Sequence, residues 1–300
     1  MKIVSFFNSF FSEMFDDSHC HIHIESDSPT SESLHLVLGL SPSDWSKLDD
    51  FSSVNSEKCA IGYGVHPWFA VSASSSDWLA ELKEKLSKPS SSTSALAPLP
   101  LIGEVGVDSI AKNKESGEKY DMSIQQSVFT QQMDLAVSLQ RAVSIHCVKA
   151  APVVLEYLTS AAQEEKKRQK RIKEAKKRGT TIAEDDLPRI PPAVSMHSYS
   201  GNQATAKRLI ELLGDRCFFG FSEFVNGRSW KSAESVLRAV PKTQVLVESD
   251  MNDGKSATEQ CEAVVKRMAE TWGLSMDETT KQLHENFLRF ITLHNSSAHN

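Results

Sequence analysis

Histidines and carboxylates in this chain fall where short apolar runs stop. Asp17-Ser18-His19-Cys20-His21 closes the first run. Glu104 follows Leu101-Ile102-Gly103, His146 follows Val143-Ser144-Ile145, and His197 follows Ser195-Met196. Glu248 and Asp250 follow Val245-Leu246-Val247, and His66 follows Gly64-Val65. Side chains alternate along an extended run, so His19 and His21 face one way and Cys20 the other. A His-x-His pair alone carries little, because 10 histidines in 300 residues produce one about 0.3 times by chance. The set carries more. His19, His21, His146, His197, Glu104 and Asp250 together make a ligand set for two divalent cations. Two such cations, roughly 3.5–4 Å apart, share a bridging carboxylate, lower the pKa of a bound water and neutralise charge on a phosphoryl or carbonyl oxygen. The sequence has neither a Gly-x-Ser-x-Gly elbow nor a Gly-rich phosphate loop, so a serine nucleophile is not what it offers.

These residues need elements that bring them together. Eight apolar runs read as strands: Phe15–Ile22, Leu34–Gly39, Ala60–Val65, Leu99–Glu104, Ala142–Cys147, Ala193–Ser198, Cys217–Ser222 and Gln244–Glu248. Continuous apolar runs are typical of parallel strands buried on both faces. Helical periodicity lies between most of them. One apolar face holds Val128, Phe129, Met133, Leu135, Ala136 and Leu139. Another holds Ala257, Cys261, Val264, Val265, Met268 and Trp272, with Ser256 and Glu259 expected as a capping box and Gly273 as the stop. A last helix is expected after Ser275 and Glu278, buried through Leu283, Phe287 and Ile291. Unbroken strand–helix alternation predicts one α/β domain, and eight strands predict a TIM-type (β/α)8 barrel. In a barrel the carboxyl ends of the strands converge on one mouth, which is where the metal site is expected. The predicted organisation is an extension over 1–13, one barrel over 14–293 and a tail over 294–300. Insertions are expected near 87–100, rich in Ser and Pro, and near 163–190.

Composition narrows the classes. The formal net charge is −6, which excludes a bulk nucleic-acid binder and leaves any grip on phosphate to metals and local cations. No apolar run approaches the roughly 20 residues that span a bilayer. The N-terminus lacks a small-residue cleavage site, so a cytoplasmic or nuclear protein is expected rather than a secreted one. Five cysteines without close pairing read as free thiols. Glu164–Arg178 holds nine Lys or Arg against three Glu and reads as a solvated helix. Pairs Glu164–Arg168 and Glu174–Arg178 have helix-supporting spacing. Such a segment fits a protein partner or an import receptor. His23, His35, His294 and His299 read as solvated, and Trp45, Trp78, Trp230 and Trp272 as packing residues.

Taken in order, Asp-Ser-His-Cys-His, Gly-Val-His-Pro, Ile-Gly-Glu-Val-Gly-Val-Asp, Ile-His-Cys, Met-His-Ser-Tyr-Ser-Gly and Val-Glu-Ser-Asp resemble the successive motifs of TatD-type metal-dependent deoxyribonucleases. The resemblance runs from Asp17 to about Phe290, and Asn286 matches a family asparagine. It implies an amidohydrolase-like barrel that cleaves DNA phosphodiesters with two divalent ions, magnesium foremost and zinc or manganese as alternatives. It implies that His19, His21 and Asp250 hold one ion, His146 and His197 the other, and that Glu104 bridges them. Glu104 and Asp250 are then catalytic. Asp17 and Glu248 support the ligands from behind. His66, Trp68 and Lys149 face the substrate.

Three positions depart from the family pattern. Val148 stands where an arginine usually follows His-Cys, with Lys149 next. Trp68 replaces the second histidine of Gly-Val-His-Pro-His, and Glu223 replaces a glycine after the seventh strand. The changes touch the layer that would grip phosphate, and a lysine replaces an arginine there only as a point charge. Two other readings stay open: a related metal-dependent hydrolase of small esters or amides, and a barrel scaffold that acts through protein interactions. Glu104 stands where many of the former carry a carbamylated lysine.

Overall fold

The computed structural model describes residues 14–26, 28–29, 32–73, 77–87, 99–180 and 186–293. The extension, most of the Ser/Pro-rich stretch, the tail, His294 and His299 lie outside them. Eight strands form one parallel sheet in sequence order: β1 (Asp17–Cys20), β2 (His35–Leu38), β3 (Cys59–Tyr63), β4 (Leu101–Asp108), β5 (Val143–Val148), β6 (Val194–Met196), β7 (Cys217–Phe221) and β8 (Val245–Val247). Backbone bonds beyond the last strand bring its ends together. Asp250 N donates to His19 O (3.0 Å) and His21 N to Met251 O (2.8 Å). The result is a nearly closed TIM-type barrel.

The helices follow the pattern of the sequence. The longer ones are α1 (Pro42–Val54), α2 (Trp78–Ser87), α3 (Met122–Leu139), α4 (Ala151–Arg178), α5 (Gln203–Leu213), α6 (Trp230–Leu237), α7 (Gly254–Trp272) and α8 (Met276–Thr292). The predicted capping box of α8 forms between Ser275 and Glu278. The one predicted for α7 does not. That helix starts two residues earlier than Ser256, because Asp253 accepts a hydrogen bond from Ser256 N and is the cap. Gly273 ends α7 at φ 64, as the sequence implies.

The interior of the barrel has two ends of opposite character. Toward the amino ends of the strands, Leu36, Leu38, Leu101, Phe218 and Leu246 meet Phe287 and Phe290 of α8 in an apolar plug. Asn286 belongs to this closure. Its amide donates to Lys242 O and Val245 O, both at 2.7 Å, and ties α8 to the start of β8. At the carboxyl ends the inward residues are polar. Outside the strands, Cys20, Val37, Ile61 and Val105 pack with the helices. All five cysteines are free, and four are buried.

Two histidines that read as solvated are buried instead. His23 is held by Asp44 at 3.3 Å, and His35 lies within β2 at 1 % exposure. The hydrophobic context of both arises only once β1 and β2 are paired. Trp45 and Trp78 are core residues as expected. Trp230 and Trp272 are half-buried under the Arg267 and Lys242 side chains.

The basic segment is the outer half of α4, a single 28-residue helix. At 1.5 Å per residue that is about 42 Å, longer than the barrel needs. It is only partly the free projection expected. Glu165 is buried and accepts from Arg189 N (2.8 Å), while Arg168 and Arg171 reach Asp186. The return chain therefore braces the helix. The ion pairs that form are Glu164–Lys167 and Glu165–Arg168, at i,i+3 rather than the expected i,i+4 spacing.

A partly buried ion pair anchors α8 to the first strand. His284 Nδ1 lies 2.6 Å from Asp16 Oδ2, while Asp16 Oδ1 accepts from Leu34 N. Asp16 raises the His284 pKa, against the effect of burial. The added stability is then fully present below the unfolded-state histidine pKa of about 6.5 and is lost as pH rises through the raised folded value. His284→Gln is expected to lower the melting temperature more at pH 5.5 than at pH 9. A deficit independent of pH in thermal denaturation would show that the pair contributes packing alone.

Candidate metal centre

The site is built on one carboxylate. Glu104 does not end β4 as the sequence suggests, since the strand continues four residues to Asp108. The register against β5 shifts between Ile102 and Val105, and such an irregularity re-aims a side chain. Glu104 is 2 % exposed and its two oxygens face different partners. Oε2 lies 3.2 Å from His19 Nε2 and 3.3 Å from His21 Nε2. Oε1 lies 2.8 Å from His146 Nδ1, 3.4 Å from His197 Nε2 and 3.5 Å from His66 Nε2. Asp250 closes the arrangement, with Oδ1 3.6 Å from His21 Nε2 and Oδ2 3.9 Å from His197 Nε2.

Each ring is turned by a partner behind it. His19 Nδ1 lies 2.9 Å from Ser144 Oγ, and His21 Nδ1 lies 2.8 Å from Leu38 O. His197 Nδ1 lies 2.9 Å from Glu248 Oε1, which also accepts from Ser198 N and Ser198 Oγ. These bonds leave three Nε2 atoms facing the centre. Glu248 fits only because β7 has no side chain at Gly220. A Cβ there would lie 2.0 Å from Glu248 Oε2. Asp17 works one layer back, accepting from Ser249 N and Ser249 Oγ and so fixing the turn that carries Asp250. Lys149, Ser198 and Asp250 have left-handed φ values of 52, 41 and 61. All three follow strand ends at the mouth, where such strain often accompanies function.

Electrostatics keep Glu104 and Asp250 ionised. Burial would raise the Glu104 pKa, yet His66, His197 and His19 beside it hold it well below the carboxylate range. Burial is likewise overcome at His197, which Glu104, Asp250 and Glu248 push up to about 10. Burial and the neighbouring rings take His66 down to about 3. Metal ligands must be deprotonated, so the centre trades protons for cations.

His19, His21 and Glu104 form one group able to hold a metal ion, and His66, Glu104 and His146 form another. His146 Nε2 is buried without a hydrogen-bond partner, with Asp108 Oδ2 3.5 Å away, and so could donate to a metal ion. The residues suit borderline or hard divalent cations, having imidazole and carboxylate donors and no thiolate.

The family model of the TatD related DNases matches residues 16–292. The chain belongs to that family. It is 23 % identical to an uncharacterised deoxyribonuclease of Saccharomyces cerevisiae, over 92 % of this chain and 98 % of the relative. It is 25 % identical to the Cut9-interacting protein scn1 of Schizosaccharomyces pombe over the same shares. Among solved structures it superposes on a TatD homologue from Escherichia coli with a TM-score of 0.66 at 18 % identity, covering 92 % of this chain and 96 % of that one. An amidohydrolase from Saccharomyces cerevisiae gives 0.63 at 14 % identity, covering 91 % and 98 %. At these identities the structural matches speak for the fold.

Against the TatD pattern, His19, His21, Glu104, His146, His197 and Asp250 are brought to one centre. His66 lines the cavity beside Glu104. Trp68 is at the rim, 43 % exposed, with its Nε1 donating to Asp108 Oδ2 at 3.1 Å. Lys149 is exposed but lines a neighbouring crevice with Tyr199 and Asn202, apart from the metal pocket. Glu223 is drawn away from the mouth, since Arg267 Nη2 binds its Oε1 at 2.9 Å. Asp108 is the residue that sequence reasoning misses. It lies 3.5 Å from His146 Nε2 and holds Trp68, and its pKa is pushed down to about 2, His146 and Trp68 outweighing burial. Its signal is the Gly-Val-Asp that follows Glu104.

Glu248→Gln keeps the shape but removes the charge behind His197. Metal affinity is expected to fall by about 10–100-fold, the usual cost of removing an outer partner. Calorimetric titration with Mn2+ measures it. An unchanged affinity in a folded variant would show that His197 is oriented by other means.

Proposed function

We propose that this TatD-family protein hydrolyses phosphodiester bonds of DNA with two divalent metal ions, magnesium foremost and zinc or manganese as alternatives. The division of the Glu104 oxygens carries the reading. Oε2 would serve an ion held with His19, His21 and Asp250, and Oε1 an ion held with His146 and His197. When bound, the ions supply Lewis acidity and an acidified water. The chain's own residues do the rest. Glu104 fixes the separation of the two halves. Asp250 has the more exposed carboxylate, 19 % against 3 % for Glu104, and is placed to accept a proton at Oδ1 or Oδ2. His66 adds a neutral imidazole beside Glu104. Trp68, pinned by Asp108 and set edge-on to His66 at 4.9 Å, offers a base-stacking face at the rim.

The cavity above these residues has a volume of about 640 Å³, and Lys112 and Lys114 line it together with Glu104 and Asp250. The two lysines favour an anionic phosphodiester over a neutral ester or amide. Glu104→Ala is expected to lose metal and to cut cleavage of a labelled oligonucleotide at least about 10²-fold, as when one group aimed at reacting charge is removed. Normal turnover and metal content in this variant would sink the assignment.

The basic half of α4 serves a different purpose. It lies on a helix-to-strand connection, and in a barrel those connections sit at the face opposite the chemistry. One relative is named for an interaction with a protein, and an acidic partner or import receptor in cytoplasm or nucleus fits these charges. No helix of the described residues is long and apolar enough to cross a membrane. Lys170→Glu, Lys173→Glu and Lys177→Glu together are expected to change single-turnover cleavage of a short oligonucleotide less than about twofold, well under the tenfold that corresponds to about 1.4 kcal/mol. A tenfold loss with metal content intact would place the segment at the active face.

A further inference from the structure

Val148 leaves the end of β5 without a cation, and Lys149 turns into the neighbouring crevice. Charge reaches the metal pocket from another element. Between β4 and α3 the chain folds into a hairpin, closed by an antiparallel bridge between Lys112 and Lys119. Lys112 and Lys114 line the same cavity as His21, Glu104 and Asp250. Both are exposed, and neither is engaged in an ion pair among the described residues. In a chain of net charge −6, these two unengaged lysines bring positive charge to a cavity also lined by Glu104, Glu115 and Asp250.

The hairpin is held in place rather than loosely hung. Asp108 Oδ1 accepts from Ile110 N and Ala111 N, and Ser109 Oγ donates to Lys149 O. Inside the turn, Asn113 Oδ1 accepts from Glu115 N and Ser116 N, and Gly117 supplies a φ of 71. The side chain of Asn113 is thus committed to shape. Glu115 also lines the cavity but pairs with neither lysine. The hairpin is fastened through Asp108, the residue that also holds Trp68, so cations and the stacking face share one anchor.

On the phosphodiester reading, we propose that Lys112 and Lys114 form the phosphate clamp of this enzyme, gripping the backbone of a single nucleic-acid strand next to the scissile bond. The clamp takes over the role that Val148 cannot fill. A single strand is the fitting class, because the carboxylates lie at the buried floor of a cavity whose volume suits a few nucleotides and not a duplex.

The test uses metal-loaded protein, fluorescein-labelled dT8 and bis(p-nitrophenyl) phosphate, which has no neighbouring phosphates. Lys112→Ala/Lys114→Ala is expected to raise KM for dT8 about tenfold and to weaken dT8 binding by anisotropy to match. The dependence of log Kd on log salt is expected to flatten by about 1.4, at about 0.7 for each single-strand phosphate no longer neutralised. Turnover of the small diester stays within about twofold, Lys112→Arg/Lys114→Arg restores dT8 binding, and Lys149→Ala leaves it unchanged. If wild type cuts dT8 and the double alanine variant binds it equally well, the clamp is refuted while the nuclease reading stands. Equal losses on both substrates would mean that the hairpin only shapes the metal pocket, and would also refute it. If wild type turns over the small diester yet neither binds nor cuts dT8, the nucleic-acid reading falls, and the clamp with it.

Discussion

Everything at the mouth of this barrel depends on keeping one carboxylate charged where water hardly reaches it. Removing a carboxylate from water costs several kcal/mol unless other groups replace the missing solvation. Around Glu104 the replacement is imidazole on both sides, with His19 and His21 at one oxygen and His146, His197 and His66 at the other. No single element could supply five rings at these distances. They come from β1, β5, the ends of β3 and β6, and the turn after β1, and only a closed parallel sheet brings those together. The apolar plug of α8 at the opposite end closes the interior there, so the polar residues collect where the strands end.

The rings would not hold position by strand geometry alone. Two buried glutamines of α3 fix the backbone around them. Gln132 Oε1 accepts from Val65 N and its amide donates to Val65 O, which sets the residue before His66. Seven residues earlier on the same face, Gln125 makes the matching pair with Asp108 N and Asp108 O. One helix face thus fixes both the strand-three turn and the end of β4. These side chains act as added strand partners, satisfying backbone groups that the sheet leaves open at its carboxyl edge. Gly106 contributes by absence. At φ 156 it lets β4 press against β5, where a Cβ would come within 1.9 Å of His146 O.

Strand-ending His and carboxylate residues were legible in the sequence because the barrel makes strand ends converge. The eight runs appear as eight strands for the same reason, since burial on both faces leaves continuous apolar stretches. What was not legible depended on partners far along the chain. Asp108 lay beyond the expected end of β4 at Glu104, because the register shift in that strand has no local signature. His35 gave no sign of burial without its strand neighbours. Glu223 pointed toward the mouth in sequence, but Arg267 on α7 draws it aside. Asp253 outcompeted the expected Ser256 cap, since both fit the pattern and local sequence could not rank them.

The departures from the TatD pattern then separate two jobs that share one pocket. Residues at the floor sit on strands or just past their ends, are buried or nearly so, and lean on partners behind them, so a change at one disturbs the others. Residues at the rim sit on loops and turn outward, where replacement costs little. Of the three departures, Trp68 lines the cavity above the floor, while Val148 ends β5 and Glu223 pairs with Arg267. The floor keeps the six His and carboxylate residues of the pattern, whereas the rim carries an indole tied to Asp108 and the hairpin after β4 carries Lys112 and Lys114. A barrel can vary in this way because its strand ends fix the chemistry while the loops choose what reaches it.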